Sequence, residues 1–135
     1  MNKPKTRREE RHLAKDYLAK AQEHLEAAQL ALASKKPDST IGLAILAAIS
    51  ANDALCLHLG GERNASQSHQ DAIALLERVG PAGPDLENAV RKFSRILGLK
   101  NNLQYSPRRY TEAEAAQVLQ DAERFLSFAR AHLRI

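Results

Sequence analysis

The chain has 135 residues, 44% hydrophobic and 27% charged, enough for one compact domain and too apolar for wholesale disorder. Aromatics are 4% with no Trp, and long Ala/Leu/Glu/Lys/Arg stretches exclude a β-sandwich or barrel. The net charge is +4, and a single cysteine, Cys56, excludes an internal disulfide framework and any Cys-based zinc cluster.

Residues 1–11 are polar and basic: Lys3, Lys5, Arg7, Arg8 and Arg11 stand against Glu9 and Glu10. No apolar run of signal-peptide type follows, so a cytoplasmic protein is expected. Residues 1–11 are expected to form a flexible basic tail, and 12–135 a single helical domain. The helical pattern reaches back to about Thr6 and on to Lys35. Ala14, Leu18, Ala21, Leu25, Ala28 and Leu32 recur at spacings of four and three, which places them on one stripe. Pro37 ends this helix.

A second helix is predicted from Asp38 or Ser39, both good N-caps, to Leu59, with Gly60-Gly61 supplying a left-handed stop. Residues 41–59 are apolar nearly all round, enough to raise a membrane span. Asn52, Asp53 and His58 argue against it, since an Asp at a bilayer centre costs about 2.5–3.5 kcal/mol. A central core helix is expected, and no membrane partner. A third helix is predicted over Ser68–Val79, with Ser68 and Asp71 at capping-box spacing. Gly80-Pro81-Ala82-Gly83-Pro84 breaks it. The fourth begins after Pro84, is weakened at Gly98 and extends to Tyr105 before Pro107. The last opens at Thr111, where Thr111 and Glu114 make a capping box, and runs to the end. The reading is all-α: an antiparallel four-helix bundle plus one short extra helix.

The charge is uneven. Arg91, Lys92, Arg95, Lys100, Arg108 and Arg109 fall in a stretch with no acid, and outside this stretch and residues 1–11 the chain is acidic. Such concentration suits a phosphate-bearing partner, although a solvated charged face gives the same pattern. No two histidines are three or four residues apart, and no phosphate-loop or dinucleotide fingerprint is present, so no metal and no cofactor are expected. Cys56 reads as a small core residue.

Asp53 is more informative, because a carboxylate in an apolar helix needs a partner or a polar pocket. It is either exposed at one edge, or capped by Asn52, or an anchor for a cation, with Lys100 the best candidate. Lys100-Asn101-Asn102-Leu103-Gln104-Tyr105 is the densest polar group on a core-facing helix. There an ammonium, an amide and a phenol could converge on a phosphate, base or carboxylate; equally, Tyr105 is a solvated helix end and Lys100 snorkels. His69, at a helix start, serves either as a capping-region residue or as a base without a visible partner.

Three segments together resemble the prokaryotic HEPN-domain family, in an actinobacterial-type branch. They are YLAKAQEHLEAAQLAL, AILAAISANDALCLHLGGERNASQSHQDAIALL and LGLKNNLQYSPRRYTEAEAAQVLQDAERFL, and they span roughly Leu13 to Leu133. The resemblance implies a HEPN-like helical bundle, commonly a homodimer. Many members are metal-independent endoribonucleases whose motif is an Arg, a polar follower and a His four to six residues on. Others pair with nucleotidyltransferases in toxin–antitoxin systems, or bind nucleotides or proteins. Carried over, Lys100 stands at the Arg, Asn101 at the polar follower and Tyr105 at the His. A phenol with a pKa near 10 is a poor base where an imidazole titrates near 6.5, and Lys offers a point charge in place of a planar fork.

The expectation is therefore a binding or regulatory module with a degenerate ribonuclease motif. Its partner would be RNA, a nucleotide or a nucleotidyltransferase-type protein. Lys100, Asn101, Tyr105 and Asp53 would line its site, and Arg95, Arg108 and Arg109 would contribute phosphate contacts, with Arg91 and Lys92 adding longer-range attraction. The alternatives are a dimeric, toxin-like, metal-independent endoribonuclease using Lys100, Asn101 and Tyr105, or His69 donated across the dimer, and a protein-interaction scaffold without ligand.

Overall fold

The computed structural model describes residues 5–134. It holds six α-helices, α1 (Ala14–Ala33), α2 (Pro37–Gly60), α3 (His69–Val79), α4 (Pro84–Gly98), α5 (Lys100–Tyr105) and α6 (Glu112–Leu133). It also holds a 3₁₀ turn over Arg11–Leu13 and two short strands, β1 (Thr6–Arg8) and β2 (Glu62–Asn64). The long helices α1, α2, α4 and α6 form the bundle, with α3 and α5 as short additions. The expectation of an all-α helical bundle is met, with two short helices where one was expected.

Helix α2 is the hub and packs on every other helix. Ile41, Ala44, Ile45, Ala48, Ala51, Leu55 and Leu57 are all buried, so its apolar circumference meets protein on most sides. By length and composition it could cross a membrane, yet 72% of its most apolar window is buried inside the bundle. The stripe of α1 is buried as predicted from Ala14 to Ala28. Across the core, Phe93 of α4 stacks on Phe125 of α6, with centroids 4.7 Å apart and planes 8° from parallel.

Several boundaries differ from expectation for local reasons. The first helix begins at Ala14, not Thr6, because Thr6–Arg8 pairs antiparallel with Glu62–Asn64, Arg7 opposite Arg63. Residues 1–4 of the expected tail lie outside the described residues. Lys5–Glu9 is laid along 61–65: Lys5 O accepts from Ala65 N at 2.9 Å, and Glu9 N donates to Gly61 O at 3.3 Å. Helix α2 starts at Pro37 with Lys36 as N-cap, rather than at Asp38 or Ser39. The reason is a Schellman turn closing α1. Lys36 N donates to Ala31 O at 2.9 Å and Lys35 N to Leu32 O at 3.0 Å, with Lys35 left-handed at φ +60°. Pro37 then takes the first helical position, where a missing N–H is harmless. Gly61, φ +70°, supplies the stop of α2.

Ser68 caps α3 by accepting from Asp71 N at 3.3 Å, but only half of the expected box forms. The Asp71 carboxylate turns instead to Ser66 Oγ at 2.9 Å and to Lys5 Nζ at 3.6 Å. At Thr111 both halves of the box are made. The fourth predicted helix is divided at Leu99, whose N–H donates three residues back, to Ile96 O, and α5 follows as a separate short helix.

Candidate functional site

Between α2, α3, α4 and the 63–68 segment lies a cavity of about 270 Å³. Ile49, Ala72, Phe93 and Leu97 give it an apolar side. Asn52, Asp53, Arg63, Ser66, Ser68, His69 and Lys100 give it a polar one. The hollow is half open, and an apolar side facing a few convergent polar groups makes it a candidate small-molecule site.

Asn52 and Asp53 reach it from the middle of α2. Asn52 is 1% exposed; its Oδ1 accepts a weak contact from Cys56 Sγ at 3.5 Å. Asp53 is pushed up to about 7, chiefly by burial. The nearby Arg63 charge opposes that shift, Glu9 adds to it and Lys20 opposes it weakly. Burial likewise raises the Cys56 thiol to about 12, which makes it an inert core group. His69, the first residue of α3, is shifted below its ordinary value by burial and then by the Lys100 charge. A carboxyl moved up and an imidazole moved down in one cavity mark it as a candidate functional site.

Arg63 arrives from β2. Its Nε donates to Glu9 Oε1 at 2.7 Å, and its guanidinium lies 5.7 Å from the centroid of the Tyr17 ring. Tyr17 Oη donates to Glu9 Oε2 at 2.8 Å. These bonds hold Glu9 below the usual carboxylate range. Neither Arg63 nor Asn52 stood out in the sequence as a site residue. Nothing in the pattern marks a three-residue polar strand, and Asn52 was visible as a polar interruption of the apolar helix and a neighbour of Asp53.

The structure separates the polar group expected to converge near position 100. Lys100 is half-buried at the cavity, its Nζ donating to Gln67 Oε1 at 3.4 Å. Asn101 is exposed, and Tyr105 is 82% exposed; neither lines this cavity. Helical geometry explains it. At about 100° per residue, Leu103 and Gln104 stay on the Lys100 side facing α2, while Asn101 and Tyr105 fall on the solvent side. Lys100 and Asp53 share the cavity, but among the described residues they form no ion pair.

The three arginines expected to contact phosphate are engaged within the fold. Arg95 grips buried Asp121 through two bonds, at 3.0 and 3.2 Å. Arg108 meets Glu114 at 2.6 Å and lies 4.4 Å from the Tyr110 ring centroid. Arg109 meets Asp38 at 2.6 Å, while Asp38 also accepts from Tyr110 N at 2.9 Å. That backbone bond, followed by the Arg109 bond, holds Asp38 below the usual carboxylate range. Arg91 is bonded to Asn88 on its own helix. Among the described residues, no group of three or more His, Cys, Asp or Glu could hold a metal ion.

A second, more open groove of about 600 Å³ adjoins the cavity between α2 and α5. Gly42, Leu43, Leu46 and Leu103 line it, and Leu46 is 47% exposed.

Comparison with known proteins gives structural neighbours and a family. The crystal structure of TT1696 from Thermus thermophilus superposes with a TM-score of 0.68 at 24% identity, over 90% of this chain and 98% of that one. This likeness is one of fold. No curated protein matches the chain. The family model of the HEPN domain matches residues 14–132, which takes in nearly all of the helical bundle and the cavity. The chain therefore belongs to the HEPN-domain family.

Proposed function

We propose that this HEPN domain is a binding module for a phosphate-bearing ligand of nucleotide type, held at the Lys100 cavity. The observation that carries the reading is the state of Lys100. Arg95, Arg108 and Arg109 each meet a carboxylate, whereas among the described residues Lys100 meets only the neutral amide of Gln67. A cation at a cavity rim without a carboxylate partner keeps its charge for a ligand. Asp53 adds little repulsion below neutral pH, because burial pushes its carboxyl up to about 7.

Binding is favoured over cleavage. Tyr105 points away from the cavity that Lys100 lines, so the two positions of the degenerate motif do not act on one bond within a protomer. A cytoplasmic setting accords with this reading, and a nucleotidyltransferase-type protein is the partner to seek by co-purification. The test is binding of single-stranded RNA and of mononucleotides between about 50 and 200 mM salt. Affinity should fall linearly on a log–log plot, and Lys100→Gln should weaken it about tenfold and flatten the slope. A flat response in the native protein would refute the reading.

A homodimer is the second element of this proposal. The groove between α2 and α5 leaves Leu46 half in solvent beside Leu103, which suits a second copy docking there. Leu46→Glu should shift the protein to monomer in sedimentation. An unchanged mass would remove this groove as the contact.

A further inference from the structure

We propose that the cavity takes up a single nucleobase, with Asn52 and Asp53 facing its hydrogen-bonding edge and Lys100 at the rim on the attached phosphate. The inference rests on the nucleotide reading above and goes beyond it, because Lys100 alone would hold any phosphate.

Three observations carry it. The first is size. An apolar cavity of about 150 Å³ accepts benzene. The present one, at about 270 Å³, has room for a heterocycle with its exocyclic groups, but not for a nucleotide with its sugar and phosphate fully enclosed. The second is the division of its walls. Ile49, Phe93 and Leu97 offer apolar surface to a ring, and the polar groups lie together on α2 and the 63–69 segment. The third is Asn52. This side chain is 1% exposed and lines the cavity. Its Oδ1 has only the weak thiol contact from Cys56, and among the described residues Nδ2 makes no hydrogen bond. That donor opens onto the cavity and is not sealed in the core, so an occupant can accept from it in place of solvent.

The chemistry of the edge follows from the two side chains. A protonated carboxyl donates one hydrogen bond and accepts another, and the amide adds a donor. An amino group beside a ring nitrogen, as on cytosine and adenine, matches the carboxyl in both senses. The phosphate belongs either to a free nucleotide or to an RNA strand, since the recognised unit is the same.

The experiment titrates the full-length protein with CMP, AMP, ribose 5-phosphate and a cytidine hexanucleotide, at pH 6 and fixed salt, by calorimetry and by the NMR signals of side-chain amides. CMP or AMP should bind at least tenfold more tightly than ribose 5-phosphate and move the Asn52 amide signal. Ala72→Leu, which fills the cavity, should remove that advantage while ribose 5-phosphate binding persists. Retention of the advantage in a folded Ala72→Leu variant overturns the inference. Equal binding of ribose 5-phosphate and the nucleotides in the native protein also overturns it, but leaves the phosphate reading standing. Absence of binding by all four overturns both. A hexanucleotide that outcompetes CMP and still moves the Asn52 signal assigns the base to RNA. One that binds without moving it counts against base uptake.

Discussion

Arg63 Nε donates to Glu9 Oε1 at 2.7 Å, joining the segment ahead of α1 to the strand that walls the cavity. Both side chains are largely shielded, with 22% and 16% of their surface exposed. The bond is charge-assisted and worth about 1.5–3 kcal/mol. Arg63→Met should lower stability by about that amount in a urea titration. Hydrogen exchange at Thr6–Arg8 should rise first, because β1 pairs with one neighbour only, the three-residue β2 that carries Arg63. Protection of β1 equal to that of the native protein would contradict this.

Asp53 makes stability depend on pH in a stated direction. Unfolded, it ionises near its ordinary value; folded, near 7. A raised folded value means that the native state holds the proton more tightly, so stability is full below the unfolded value. It declines as pH rises and levels off above about 7. Asp53→Asn lacks the decline. The variant should match the native protein near pH 4 and exceed it by about 1–3 kcal/mol at pH 8. A constant difference across that range would contradict the assignment.

The same proton bears on the ligand. Arg63, Glu9, Tyr17, Lys20, Cys56, His69 and Lys100 are the titratable or charged groups around Asp53 from its own and the neighbouring elements. If the protonated carboxyl pairs with cytosine, CMP affinity relative to ribose 5-phosphate should fall as pH passes about 7, approaching tenfold per unit. Asp53→Asn should be insensitive to pH over that interval.

Arg95 separates architecture from binding. Its two bonds satisfy Asp121, which is 4% exposed. Arg95→Met strands that carboxylate and should destabilise the fold by about 1–3 kcal/mol, with nucleotide affinity at saturating folded protein unchanged. A loss of affinity without a loss of stability would return Arg95 to the site.

Lys35 is a place to gain stability. A non-glycine residue held left-handed costs about 1–2 kcal/mol. Lys35→Gly should recover roughly 1 kcal/mol, less the added freedom of the unfolded chain. A lowered melting temperature would contradict this.

What the sequence made legible was set by periodicity. The stripe from Ala14 to Ala28, the Gly61 stop and the Thr111–Glu114 box follow from local rules, and all are present. Lys100 and Asp53 stood out as charges on core-facing helices, and they share the cavity. Arg63 was not legible, because its importance comes from pairing across 54 positions of chain. The convergence of Lys100 with Tyr105 failed for a geometric reason: five steps along a helix leave two side chains about 140° apart.

The zipper between Lys5–Glu9 and residues 61–65 gives the cavity a wall secured from far upstream. Thr6 donates to Glu62 at 2.7 Å across 56 positions, and Lys5 reaches Asp71 at the head of α3. A protease nick at Arg7 or Arg8, or a bulky fusion placed just ahead of Lys5, would therefore be felt by whatever occupies the cavity. Conversely, an occupant that steadies the wall would slow trypsin at those arginines, so digestion of the amino-terminal arm can serve as a gauge of occupancy that needs no labelled ligand.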